Sequence, residues 1–373
     1  MTMAETVLRA EPTWAPGGAD GGRGVAPRAF HRTFPGYAVT PLREAPACAA
    51  GLGVARVVVK DESARMGLPA FKILGASWAV RKAVLTRAGL EPDAAMSLEE
   101  LRGVCAGLGG LRLCTATDGN HGRAVARTAG LLGLRATIFM PAGAAQARVD
   151  RIASEGAHVH ELDGGYDDAV ARAAREAQDG ETLVISDTSW PGYTDVPRWV
   201  IEGYTTLFDE IAEQGADADQ PTVVALPVGV GALAAAGVRH YAGTGTRLVS
   251  VEPTRAACVL QSVEAGELRT VDAPEHSVMA GLQCETPSLV AWDELAHGFD
   301  AYVAIDDTRV PEALHLLQAD GIVAGETGAS ALAGLLLLRD RGELRPDDRA
   351  LVLCTEGATD PEGRARLLAS AGV

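Results

Sequence analysis

From about residue 54 onward, short apolar runs alternate with stretches whose apolar residues recur every three or four positions. The runs at 54–60, 111–115, 136–140, 158–162 and 182–185 predict strands. The stretches at 76–88, 120–132, 144–154 and 166–178 predict the helices between them. A second series follows, with helices at 199–211, 232–241, 308–318 and 330–339 and strands at 222–226, 248–251, 302–305 and 350–354. Such alternation implies parallel sheet covered by helices, here as two α/β domains. Pro191, Gly192 and Pro197 interrupt the pattern between the two series and mark a domain crossing. The expected division is a small domain at 81–195 and a large one built from 30–80 and 196–373. Residues 11–28 are rich in Gly, Pro and Ala, so 1–29 reads as a mobile arm. Active sites of open α/β sheets lie beyond the carboxyl ends of strands, which favours a cleft between two such domains.

Charge and composition narrow the chemistry. The 373 residues carry a formal charge of −16 and are 47% apolar. That is enough for a sizeable core, and it leaves no basic block for nucleic acid or an anionic membrane. A small-molecule substrate is therefore expected, with no nucleic-acid or membrane partner. No apolar run approaches a membrane span, and Met1 to Ala10 lacks a signal-peptide core, so a cytoplasmic location is expected. Cys48, Cys105, Cys114, Cys258, Cys284 and Cys354 form no CxxC pair, and the histidines form no HExxH motif. No metal site is assigned, and the thiols read as structural.

Six places carry candidate chemistry. Lys72, between Phe71 and Ile73-Leu74, is a lysine in an apolar setting where an amine readily loses its proton and becomes a nucleophile; read alone, such a residue is far more often a snorkelling surface lysine. Asp118 and Asp187 each end a strand run, where a carboxylate can move a proton or bind an ammonium, or simply cap a helix. Gly229, Val230, Gly231, Ala232 and Leu233 follow a strand and open a helix. They form an anion cradle or an ordinary turn, without the lysine or third glycine of common nucleotide loops. Cys354-Thr355-Glu356-Gly357 follows the last predicted strand, and Gly325-Glu326-Thr327-Gly328 is a glycine-bracketed turn before a helix.

Taken together, these segments resemble a known family. Lys60-Asp61-Glu62-Ser63-Ala64-Arg65 through Ala70-Phe71-Lys72-Ile73 is similar to the cofactor-lysine segment of the diaminopropionate ammonia-lyases. These are fold-type-II, tryptophan-synthase-β-like enzymes that hold pyridoxal 5'-phosphate in the interdomain cleft. Thr117-Asp118-Gly119-Asn120-His121-Gly122 resembles their variant of a loop that carries serine at the Asp118 position in threonine deaminases. Further likeness lies in Asp187-Thr188-Ser189-Trp190, Val251-Glu252-Pro253, Met279-Ala280-Gly281-Leu282 and Thr355-Glu356-Gly357-Ala358-Thr359.

The resemblance implies Lys72 as Schiff-base lysine and Asn120 on the ring oxygen. It also implies the loop from Gly229 to Leu233 on the phosphate and Thr355, ahead of Cys354, at the ring nitrogen, with Phe71 and Glu326 beside the cofactor. Ala232 departs from the serine many relatives carry there. Lys72, Asp118 and Asp187 become the catalytic set for α,β-elimination of L-2,3-diaminopropionate to pyruvate and ammonia through aminoacrylate, with Asp118 able to serve the D isomer. A threonine/serine dehydratase, a β-replacement synthase and a noncatalytic binder of cofactor or amino acid are the alternatives. The family further implies a homodimer and a reversible Cys258–Cys284 disulfide.

Overall fold

A computed structural model describes residues 3–16, 26–117, 119–143, 146–215 and 220–370. The chain divides into two compact units, one of residues 1–19, 39–71 and 207–373 and the other of 20–38 and 72–206.

The first unit is built on a seven-stranded sheet. Its strands are β1 (Thr6–Arg9), β2 (Leu42–Glu44), β3 (Arg56–Asp61), β8 (Val223–Pro227), β9 (Arg247–Pro253), β10 (Ala301–Ile305) and β11 (Arg349–Cys354). They lie in the order β1-β10-β9-β8-β11-β3-β2. The five inner strands are parallel and the two edge strands antiparallel. Every residue of β8 and β10 is buried, as expected of parallel strands covered on both faces. The Ser330–Asp340 helix, apolar almost all round, packs in the core beside them.

The second unit carries a four-stranded parallel sheet in the order β6-β5-β4-β7. Its strands are β4 (Arg112–Ala116), β5 (Arg135–Met140), β6 (His158–Glu161) and β7 (Thr182–Val184). The Ile73–Arg87 and Asn120–Leu132 helices each begin at a segment singled out in the sequence.

Parallel-rich α/β architecture is thus what the alternation predicted. The expected arm, 1–29, is different in part: Thr6–Arg9 pairs with β10 at the edge of the large sheet, and the Pro27–His31 helix begins within it. Only Val7 and Leu8 in that strand are large and apolar, and its partner lies near the other end of the chain, so no local pattern announces it. Beyond residue 39 the chain passes between units at 71/72 and 206/207. The positions read from sequence, 80/81 and 195/196, fall inside the Ile73–Arg87 helix and at the start of the Asp195–Gln214 helix, because Pro191, Gly192 and Pro197 mark a helix beginning rather than a crossing.

Ahead of Lys72, the first unit buries a network of charges. Lys60 Nζ donates to Glu210 at 2.9 Å, to the Thr40 carbonyl at 2.8 Å and to Gln214 at 2.8 Å. Arg65 binds Glu62 at 2.8 and 2.6 Å and Glu210 at 2.8 and 2.7 Å. Two cations face two anions with their hydrogen bonds made, which is the condition under which buried charge is tolerated. The network fixes residues 60–65, the stretch that leads into the lysine segment.

Candidate active site

Within the first unit, residues 69–71 are laid along residues 355–357. Phe71 N–H donates to the Thr355 carbonyl at 3.4 Å, Gly357 N–H donates to the Pro69 carbonyl at 2.9 Å, and Ala70 bridges Glu356. Phe71 is buried there. Lys72 follows in the chain and opens the Ile73–Arg87 helix.

In the second unit, Lys72 Nζ donates to Asp187 Oδ2 at 2.7 Å, with the two side chains 22% and 8% exposed. Asp187 stands three residues beyond β7, and its approach is clamped. The Tyr193 hydroxyl donates to the Val184 carbonyl at 2.8 Å and accepts Ser186 N–H at 3.0 Å, while the Trp190 ring stacks on Tyr193 at 4.2 Å. His121 Nε2 lies 2.8 Å from the Ile185 carbonyl, and its Nδ1 lies 3.7 Å from Asp187 Oδ2. Burial pushes the Asp187 carboxyl up, but the charges of His121 and Lys72 and the Lys72 hydrogen bond outweigh it and hold the group below the usual carboxylate range. Asp187 is therefore an anion seated against an ammonium.

Asn120 is placed by its loop. The Thr117 hydroxyl accepts N–H groups from Gly119 at 3.0 Å and Gly122 at 3.2 Å, so one side chain gathers the turn that starts the Asn120–Leu132 helix. A Cβ at Gly122 would stand 2.2 Å from Thr117 Cγ2, so this position requires glycine. Asp118 lies outside the described residues.

The first unit supplies the other candidates. After β8, Gly231 adopts φ +97 and leads into the Ala232–Tyr241 helix. Only glycine suits that backbone, and a Cβ there would meet Leu295 Cδ1 at 2.3 Å. A Cβ at Gly229 would come within 3.1 Å of Cys284 Sγ and 3.2 Å of the Gly281 carbonyl. Val230, Ala232 and Leu233 are buried, and Val230 is held through its carbonyl by Ser288 N–H at 2.8 Å. No side chain caps this helix, in keeping with Ala232, and an uncapped helix start is the kind of place that suits an anion.

Thr355 follows β11 and is buried with its hydroxyl unpartnered. Cys354 beside it already donates to the Glu356 carbonyl at 3.4 Å, and burial first, then the charges of Asp61, Glu356 and Glu62, keep it a neutral thiol. An orphaned buried hydroxyl costs stability until something binds it, which favours Thr355 over Cys354 for the ring nitrogen. Glu326 is buried in a turn whose Gly325 N–H donates to the Glu356 carbonyl at 3.0 Å. Cys258 and Cys284 are not joined by the implied disulfide here.

The protein has three lysines, Lys60, Lys72 and Lys82. Lys60 is consumed by the buried network, and Lys82 is held by Glu202 at 2.8 Å and Asp93 at 3.1 Å. Lys72 is the one whose surroundings leave it partly open. An available amine, an orphaned hydroxyl and a glycine-walled helix start are what pyridoxal 5'-phosphate needs, so the residues present fit that group. Thr117, His121 and Tyr193 were not given roles from the sequence. His121 stands inside the loop motif itself, whereas the Tyr193 clamp depends on tertiary placement that no spacing reveals.

Comparison with known proteins agrees with this chemistry. The family model described as "Pyridoxal-phosphate dependent enzyme" matches residues 33–356. The chain is 35% identical over 352 residues to a diaminopropionate ammonia-lyase of Escherichia coli strain K12, covering 89% of this chain and 88% of the relative. Among solved structures it is similar to diaminopropionate ammonia lyase from Escherichia coli in complex with D-serine, at a TM-score of 0.88 and 32% identity, covering 100% of this chain and 99% of the other. It is also similar to the same enzyme in complex with an aminoacrylate-PLP azomethine reaction intermediate, at a TM-score of 0.85 and 31% identity, again covering 100% and 99%.

Proposed function

This chain belongs to the pyridoxal-phosphate dependent enzymes and, within them, to the diaminopropionate ammonia-lyase family, and from that premise we propose that it catalyses α,β-elimination of 2,3-diaminopropionate to pyruvate and ammonia. The observation that carries the substrate reading is the Lys72 ammonium seated 2.7 Å from Asp187. It marks a carboxylate already arranged to receive an alkylammonium, the group that distinguishes a diamino acid from serine or threonine.

Lys72 would hold the cofactor covalently. Asn120 would meet its ring oxygen, Thr355 its ring nitrogen, the residues from Gly229 to Leu233 its phosphate, and Phe71 and Glu326 would lie alongside. When bound, pyridoxal phosphate supplies an aldehyde that takes up the substrate amine and a conjugated ring that accepts the electron pair left at Cα. Lys72 Nζ, freed as a neutral amine, takes the Cα proton of the L isomer. Asp118 is the group proposed for the D isomer. Asp187 holds the β-ammonium, so the Cβ–N bond breaks with its electron pair going to nitrogen and ammonia departs without needing a proton from the protein. Uptake of water by the released three-carbon product gives pyruvate and a second ammonia. The family resemblance supports a homodimer acting in the cytoplasm, which light scattering on the purified enzyme tests for the oligomer.

The reaction is tested by measuring pyruvate and ammonia from the cofactor-loaded enzyme given L- and D-diaminopropionate, L-serine and L-threonine. Release of pyruvate from diaminopropionate, absent with the hydroxy amino acids, is expected. Pyruvate from serine alone would point to the dehydratase reading.

A further inference from the structure

His121 has no role in the chemistry above, yet it faces the same carboxylate oxygen that takes the Lys72 ammonium. Its Nε2 is 2.8 Å from the Ile185 carbonyl, and a carbonyl can only accept, so Nε2 carries a hydrogen. The tautomer is fixed by that bond. A neutral ring would therefore turn the lone pair of Nδ1 toward Asp187 Oδ2, 3.7 Å away, while a protonated ring would turn an N–H toward it. His121 is buried, as is Asp187, so water can do little to soften the difference.

The other ionisable groups described around these residues are neutral, engaged elsewhere or set apart. The phenols of Tyr193 and Tyr204 are pushed up by burial and stay neutral. Arg123 and Arg127, on the same helix as His121, are engaged by Glu155. Glu99 and Glu100 of the Leu98–Gly107 helix are exposed at its first turn. Arg148 of the Gln146–Ala153 helix lies on the Gly119 side of the loop, its Cδ 3.6 Å from where a Cβ of Gly119 would stand. Among the described residues, the ionisable groups acting on Asp187 are His121 and Lys72.

Once Lys72 Nζ is taken by the cofactor, Asp187 loses that ammonium, and a buried carboxylate without a cation tends to take up a proton. We propose that His121 is a positioning residue that carries its second proton on Nδ1, facing Asp187, whenever Lys72 is engaged elsewhere, and so keeps Asp187 an anion ready for the β-ammonium of a diamino acid. This rests on the reading of Asp187 as the ammonium receptor. Its consequence is selectivity: a protonated Asp187 would be a neutral donor suited to a hydroxyl, whereas an Asp187 kept ionised by His121 favours an amine.

The test has two arms on the full chain. Histidine nitrogen NMR without cofactor, with His121→Gln used to assign the signal, follows the titration of His121 in the wild type, Lys72→Ala and Asp187→Asn. Relative to wild type, Lys72→Ala raises the His121 pKa by about one unit or more and Asp187→Asn lowers it, the direction set by nearby opposite charge. A His121 that stays in the neutral Nε2–H form from pH 5 to 9 in Lys72→Ala overturns the proposal, whether or not any variant is active. In the loaded enzyme, His121→Gln keeps a donor for Ile185 but removes the cation, and the expected result is a KM for diaminopropionate raised about tenfold or more with kcat changed far less. An unchanged KM, or an equal fall in kcat and kcat/KM, overturns it as well. Failure of the wild type to release pyruvate from diaminopropionate would defeat the functional reading instead, and leaves the titration result standing by itself.

Discussion

Lys60 and Lys72 are twelve positions apart and each is paired with a carboxylate, but they belong to opposite kinds of environment. Lys60 and Glu210 are both 0% exposed, and the three N–H groups of Lys60 are all used. Burial lowers the Lys60 ammonium from its ordinary value even with Glu210 and Glu62 beside it. Lys72 keeps 22% of its side chain open and leans on a carboxylate that also faces a histidine. A lysine with every bond satisfied and no access to a ligand is structural. A lysine whose main partner can change hands is available for chemistry.

The comparison breaks most visibly under substitution. Lys60→Met leaves Glu210 and Glu62 short of a cation in the interior and should cost about 3–5 kcal/mol in denaturant unfolding. Lys72→Ala should cost less, about 1.5–3 kcal/mol, the scale of one hydrogen bond to a charged group. It should nonetheless abolish the visible absorbance of the bound cofactor and lower turnover by about 10³-fold or more. If the stability costs come out in the reverse order, the division into structural and chemical lysine fails.

Acid sharpens the same contrast. Burial pushes the Glu210 carboxyl up, but Arg65 and Lys60 together bring it down to about 2. A folded-state value below the unfolded one contributes stability that is present above the unfolded pKa near 4.5 and is lost as pH falls toward 2. The shift corresponds to about 3 kcal/mol. Comparing unfolding at pH 3 and pH 6, the wild type should lose more of its stability than Glu210→Gln, which starts lower and carries no such titration. Asp187, also held low, has the same sign.

The network and the lysine segment were legible in the sequence to different degrees. The apolar run that became β3 and the glycine-bracketed loops were visible because parallel strands and helix starts are local patterns. Lys72 itself was ambiguous until the surrounding motifs were read together. The Lys60–Glu210 pair joins residues 150 positions apart, and the Tyr193 clamp and the His121–Asp187 contact likewise depend on where β7 and the Asn120–Leu132 helix come to rest. Periodicity says which face of a helix is buried. It does not say which buried polar group another will meet. The missed edge strands β1 and β2 fail for the related reason that short, polar edges borrow their order from a neighbour.

The smallest expected effect concerns Thr355. Thr355→Val replaces an orphaned buried hydroxyl with a methyl of similar size, so the cofactor-free protein should gain about 1 kcal/mol in thermal or denaturant unfolding. Cofactor affinity should fall by up to about tenfold, the worth of one hydrogen bond. Opposite signs in the two measurements are the mark of a group kept for binding. A loss of stability without any change in affinity would assign Thr355 to the fold alone.

Because the chain offers three lysines, the central claim reduces to a choice among them. Borohydride reduction of the cofactor-loaded enzyme fixes the cofactor to its lysine, and peptide mass mapping then reads the position. The account predicts the added pyridoxyl phosphate on Lys72, with Lys60 and Lys82 unmodified. Label on Lys60 or Lys82, or no retained label after denaturation, would contradict it.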